Sequence, residues 1–123
     1  MNYSTYRISL DIHDISAPIA LNLKSEDTNR RIVATLMEKG QPYGITTDCS
    51  AAFTAQLPDG SVVKESSTID ENKLIYDMSD ELSAAEGKVN CEFVLTDTEG
   101  RRLTCPRFSL IINPSIKEGG DMA

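Results

Sequence analysis

The sequence predicts an all-β fold: an immunoglobulin-like antiparallel β-sandwich of about seven or eight strands with one short helical turn. Three observations carry this expectation. Apolar residues recur at every second position through most of the chain, the period of half-buried strands. Turn formers such as Pro42, Pro58-Asp59-Gly60 and Gly100 punctuate those runs. The length of 123 residues, with 40% hydrophobic and 25% charged, suits one hydrophobic core and is short for two.

In the first run Tyr6, Ile8, Leu10 and Ile12 alternate with Arg7, Ser9, Asp11 and His13. Pro18 interrupts, and Ile19, Leu21 and Leu23 form a short second run that ends in the polar turn from Ser25 to Asn29. Ile32, Ala34 and Leu36 resume the alternation until Lys39-Gly40-Gln41-Pro42 stops it. Cys49, Ala51, Phe53, Ala55 and Leu57 then share one face, followed by Pro58-Asp59-Gly60, whose glycine suits a turn. Val62 and Val63 suggest a short return strand, and Leu74 to Met78 another after the polar turn Asp70-Glu71-Asn72.

The segment from Ser79 to Ala85 breaks the period. Ser79 is an N-cap candidate with Asp80 and Glu81 in the first turn and Gly87 as a stop, so one or two helical turns are expected there. The strongest hairpin comes last: Val89, Cys91, Phe93 and Leu95 run to the turn Asp97-Thr98-Glu99-Gly100, and Leu103 and Cys105 lead back. Phe108, Leu110 and Ile112 follow on the opposite parity. Keeping one apolar face across Pro106-Arg107 requires an extra residue, so the sequence predicts a β-bulge near Pro106. The domain is expected to span residues 1–113, with 114–123 as an exit linker or tail.

Several function classes are disfavoured. The formal charge of −7 opposes binding to nucleic acid or to anionic lipid, and the basic doublets Arg30-Arg31 and Arg101-Arg102 read as loop-edge charges. No apolar run reaches the ~18 residues of a membrane span, and the start MNYSTYRISL lacks a secretory layout, so synthesis in the cytoplasm is expected. The three cysteines, Cys49, Cys91 and Cys105, are odd in number, form no CxxC pair and fall in strand-like runs, which points to buried free thiols. His13 is the sole histidine and sits at a strand end on the polar parity, where it reads as solvent-facing rather than catalytic. The carboxylates are spread over turns without a calcium-loop spacing, and the seven glycines form no phosphate-cradling loop, so neither a metal nor another cofactor is expected. A carbohydrate-binding sandwich is the alternative class, but Trp is absent and only Tyr3 and Tyr43 are good exposed aromatics.

Taken in order, several stretches resemble the N-terminal domain of baseplate upper proteins from tailed phages and prophages of Gram-positive bacteria. They are Leu10-Asp11-Ile12 with Ala17-Pro18-Ile19-Ala20-Leu21, Lys24 with Glu26-Asp27-Thr28-Asn29-Arg30, and Gly40-Gln41-Pro42-Tyr43. Phe53 through Gly60, Ala84-Ala85-Glu86-Gly87 leading to Val89 and Cys91-Glu92, and Gly100 with Leu103 through Phe108 complete the set. The resemblance implies a non-enzymatic virion component that anchors a baseplate or receptor-binding assembly to the tail hub. It also implies tail-hub and baseplate proteins as partners, and a homo-oligomer within the particle. The first strand is a candidate sheet edge for such docking, with Tyr3, Tyr6 and Tyr43 as candidate partner-binding anchors. Tyr6 keeps a second reading as core, because its parity is apolar.

Overall fold

The alternating runs fold into ten strands and one short helix in a computed structural model that describes residues 3–14, 19–25 and 28–114. In order these are β1 (Ser4–Asp11), β2 (Ala20–Lys24), β3 (Arg30–Glu38), β4 (Gln41–Pro42) and β5 (Ser50–Gln56). Then come β6 (Val62–Asp70), β7 (Lys73–Asp77), α1 (Asp80–Ala84), β8 (Gly87–Thr96), β9 (Arg102–Thr104) and β10 (Phe108–Asn113). Pro18, the Glu26-Asp27 part of the expected polar turn and the expected tail from 115 onward lie outside the described residues.

The strands follow the order β1-β3-β7-β6-β5-β8-β10-β2, with β4 added to β3 and β9 to β8. Strand β6 joins two faces of a sandwich: Val62 to Ser67 pair with β5, and Thr68 to Asp70 pair with β7. It was expected as a short return at Val62 and Val63. It is longer because Glu65 and Ser67, polar residues on the same parity as Val63 and Ile69, continue it. Glu65 has a reason to be there, since its carboxylate accepts a hydrogen bond from the Tyr76 hydroxyl.

The all-β expectation holds, with two refinements. The expected count of about seven or eight becomes ten because Gln41–Pro42 pairs back on β3 and the final return run is split in two. The expected purely antiparallel pairing fails at both edges, where β1 runs parallel to β3 and β2 parallel to β10. Alternation decides which side chains face the core, and it reads the same in either strand direction. The bulge is present: between the pairs Val94↔Thr104 and Cys91↔Phe108, Glu92 and Phe93 of β8 stand opposite Cys105, Pro106 and Arg107. That extra residue lets Cys105 and Phe108 both point inward despite opposite parity, and both are buried.

The core lies between the two faces. Phe53 of β5 stacks on Tyr76 of β7, with ring centroids 3.8 Å apart and planes within 5°. Phe93 meets Phe53 edge-on at 5.4 Å and stacks on Phe108 at 5.7 Å, so one aromatic cluster bridges the sandwich. Cys91 and Cys105 are buried free thiols, as expected, but Cys49 precedes β5 and is half-exposed, because its strand begins one residue later than the alternation suggests.

Helix α1 starts as expected, with the Ser79 hydroxyl accepting from the Leu82 amide at 3.3 Å. Gly87 is not its stop. Ala85 ends the helix in an extended conformation, and Gly87 opens β8 opposite Ile112. Its glycine is required for another reason: φ is +112°, and a Cβ would stand 3.1 Å from Cγ of Pro58. Gly87→Ala is expected to cost about 1–3 kcal/mol from backbone strain alone, with the Pro58 contact adding to it. Gly44→Ala, where a Cβ meets nothing within 4 Å and φ is not positive, is the control. Urea unfolding of both variants checks this; equal losses would refute it.

Candidate functional site

Among the described residues the first strand is a sheet edge, since β1 pairs with β3 alone, and β2 is the edge at the other end of the path. Each therefore leaves one row of backbone groups without a strand partner, a form that can accept a further strand. Three tyrosines were expected as anchors near the first edge, and the structure separates them.

Tyr3 precedes β1 and is 44% exposed, with the Arg31 guanidinium carbon 4.3 Å above its ring. Arg31 is fixed in turn by Asp77, which accepts from Nε at 2.6 Å and from Nη2 at 3.2 Å. The hydrogen bonds that Arg31 donates to Asp77 hold its guanidinium above its already high ordinary pKa. Tyr6 is half-buried and packs against the core, in line with the second of its two readings. Tyr43 follows β4, donates its amide to the Leu36 carbonyl at 3.0 Å and is also half-buried against the core. Leu36 lies five or six residues along β3 from the Tyr3 end, roughly 15–20 Å at the rise of an extended strand. The three tyrosines thus do not share one patch.

Tyr43 instead lines a cleft of about 280 Å3 between the 43–49 loop and the turn joining β8 to β9. Its apolar side is Tyr43, Ile45, Leu95 and Leu103, and its polar side includes Thr46, Cys49, Asp97, Arg101 and Arg102. Two carboxylates fix the walls. Asp48 accepts from the Thr46 hydroxyl at 2.5 Å and from the Thr98 hydroxyl at 3.2 Å, tying the loop to the turn. Those bonds, Thr46 first, hold its carboxyl below the usual range. Asp97 accepts from the backbone amides of Glu99 and Arg101 and from Arg101 Nε at 2.6 Å, which lowers its carboxyl likewise, the Arg101 amide contributing most. Sequence reading did not find this cleft. Its parts come from segments about 50 residues apart by number, and none breaks the strand pattern in a way that marks a site.

His13 is exposed beyond the end of β1, with Nε2 3.0 Å from Glu38 Oε2 and its amide bonded to the Asp11 carboxylate. Burial pushes the Cys91 and Cys105 thiols up to about 12, which disfavours the nucleophilic thiolate at ordinary pH. Among the described residues no group of three or more His, Cys, Asp or Glu is placed to hold a metal ion.

The family model described as the BppU N-terminal domain, the N-terminal domain of the baseplate upper protein, matches residues 4–123. The chain belongs to this family. Membership makes it a phage baseplate structural domain, located in the tail of the virion and interacting with other baseplate or tail proteins. The N-terminal domain of phage TP901-1 ORF48 has a similar structure: TM-score 0.73, 23% identity, covering 89% of this chain and 98% of that one. CopC from Methylosinus trichosporium OB3b is similar at a TM-score of 0.54 and 12% identity, covering 85% and 91% respectively. At these identities both likenesses speak for the fold alone. Comparison with curated protein sequences gives no match.

Proposed function

We propose that this domain is a non-enzymatic attachment module that anchors a baseplate or receptor-binding assembly to the phage tail hub through protein–protein contacts. The observation that carries this reading is the family match over nearly the whole chain. Residues 1–113 are the attachment domain and 114–123 its exit segment. The protein is made in the host cytoplasm and enters the virion in several copies. Two sheet edges without a further strand partner among the described residues supply a physical route for docking, and Tyr3, Tyr6 and Tyr43 remain the candidate contact aromatics. Of these, Tyr3 is the most exposed, at 44%.

A carbohydrate-binding role has less behind it. Sugar platforms need a free aromatic face; Arg31 covers one face of Tyr3, and Tyr6 and Tyr43 are half-buried.

The test uses the full chain as bait in an induced phage lysate, with captured proteins identified by mass spectrometry. A tail-hub or baseplate protein recovered with wild type is the expected result. Capture of wall glycan with no tail protein would overturn the attachment reading in favour of the carbohydrate one.

A further inference from the structure

We propose that the cleft between the 43–49 loop and the β8–β9 turn recognises a partner segment that presents an apolar side chain beside a carboxylate. The inference rests on the docking reading and narrows it to one surface and one chemistry.

Size comes first. At about 280 Å3 the cleft falls just under the ~300–1,000 Å3 of most small-molecule sites, so it suits one or two side chains of another protein. Its floor takes an apolar group: Leu95 is 3% exposed, and Tyr43, Ile45 and Leu103 surround it half-buried. Its rim takes an anion. Arg101 is committed to Asp97 at 2.6 Å, with Glu99 at 3.7 Å, whereas Arg102 has no acidic partner among the described residues. An uncommitted guanidinium is a fork-shaped donor that matches a carboxylate.

The walls are set before anything binds. The Thr98–Asp48 bond joins the loop to the turn, so little ordering entropy remains to be lost on docking. A second copy of this chain is a poor occupant, because two molecules of charge −7 repel. The occupant we assign is a different protein, matched to the cleft by a carboxylate at Arg102.

The experiment follows the amide signals of the full chain by NMR on titration with three capped tetrapeptides. These are acetyl-Gly-Asp-Leu-Gly-amide, a version with Lys in place of Asp, and a version with Ser in place of Leu. Saturable shifts at Ile45 and Leu103 with the first peptide, in the low millimolar range, are expected. Binding at least about tenfold weaker, a loss of about 1.4 kcal/mol, is expected for the other two peptides and for Arg102→Glu. Arg102 is exposed on a short strand, so the variant should keep its fold; its melting temperature is measured alongside.

Equal shifts with all three peptides, no saturation, or indifference to Arg102→Glu would overturn the proposal. So would the same shifts on concentrating the protein alone, which would assign the cleft to a second copy. Lysate capture separates the two readings. If wild type captures a tail protein but ignores the peptides, the docking role stands and this surface is wrong. If the peptides bind and no tail protein is captured, the attachment role fails.

Discussion

Phe53→Ala is expected to lower stability by about 3–5 kcal/mol, the range for removing a fully buried aromatic ring. Phe53 has no exposed surface, and its ring is the one that touches Tyr76, Phe93 and Phe108. The Tyr76 contact crosses from one sheet to the other, so truncation leaves a cavity between elements that backbone pairing holds in place and that cannot close over it. A domain of this size has about 5–15 kcal/mol in total, so the variant sits near the limit of folding. At roughly 3–6 °C per kcal/mol, the melting temperature should fall by about 10–30 °C, read by calorimetry. Phe53→Leu should lose distinctly less, and Val62→Ala, at a side chain 63% exposed, should stay within about 0.5 kcal/mol. A loss below about 1 kcal/mol for Phe53→Ala would mean that the sheets hold together without the stack.

Alkaline pH should destabilise the domain well before its tyrosines or lysines ionise in bulk. Burial pushes the Cys91 and Cys105 thiols up to about 12, with Glu92 adding to the rise at Cys105. In the unfolded chain a thiol ionises near ~8.5. Between those values the unfolded state has released protons that the folded state still holds, so stability falls as pH rises; below ~8.5 it is unaffected. Each thiol contributes a slope of roughly 1 kcal/mol per pH unit, and the two together roughly twice that. The Tyr76 phenol, raised by burial and then by its bond to Glu65, steepens the fall above pH ~10. Urea midpoints measured under reducing conditions from about pH 7 to 11 test this. The Cys91→Ala, Cys105→Ala double variant is less stable at neutral pH but should show a much flatter slope. An unchanged slope would refute the assignment to these thiols.

How much of this was legible in the sequence depends on which interaction decided each feature. Inward-facing side chains could be read strand by strand, because alternation is a local record of burial. The bulge at Pro106 could be read for the same reason, as a parity change between Cys105 and Phe108. Strand direction could not, and β1 and β2 turned out parallel to their neighbours. The length of β6 was hidden because Glu65 and Ser67 look like loop residues until Tyr76, from the adjacent strand, supplies Glu65 with its partner. The cleft was hidden more deeply. Thr98 meets Asp48 and Leu103 joins Ile45 only after the sandwich has formed, and the doublet Arg101-Arg102 gave no sign that one arginine is tied and the other open.

The pairing of β2 with β10 bears on how the chain matures during translation. Among the described residues β2 finds its strand partner only in β10, with the Ala20 to Lys24 segment waiting for Ser109 to Asn113. Until β10 emerges, Leu21 and Leu23 have no strand to join among the described residues, and the domain stays incomplete until Ser109 to Asn113 have been made. Long-range pairings of this kind place folding in the slow regime of about milliseconds to seconds. Completion of the domain thus waits on β10, and it couples the integrity of the β2 edge to the presence of that strand. A chain cut short before Phe108 would lack that partner and leave both sides of β2 open.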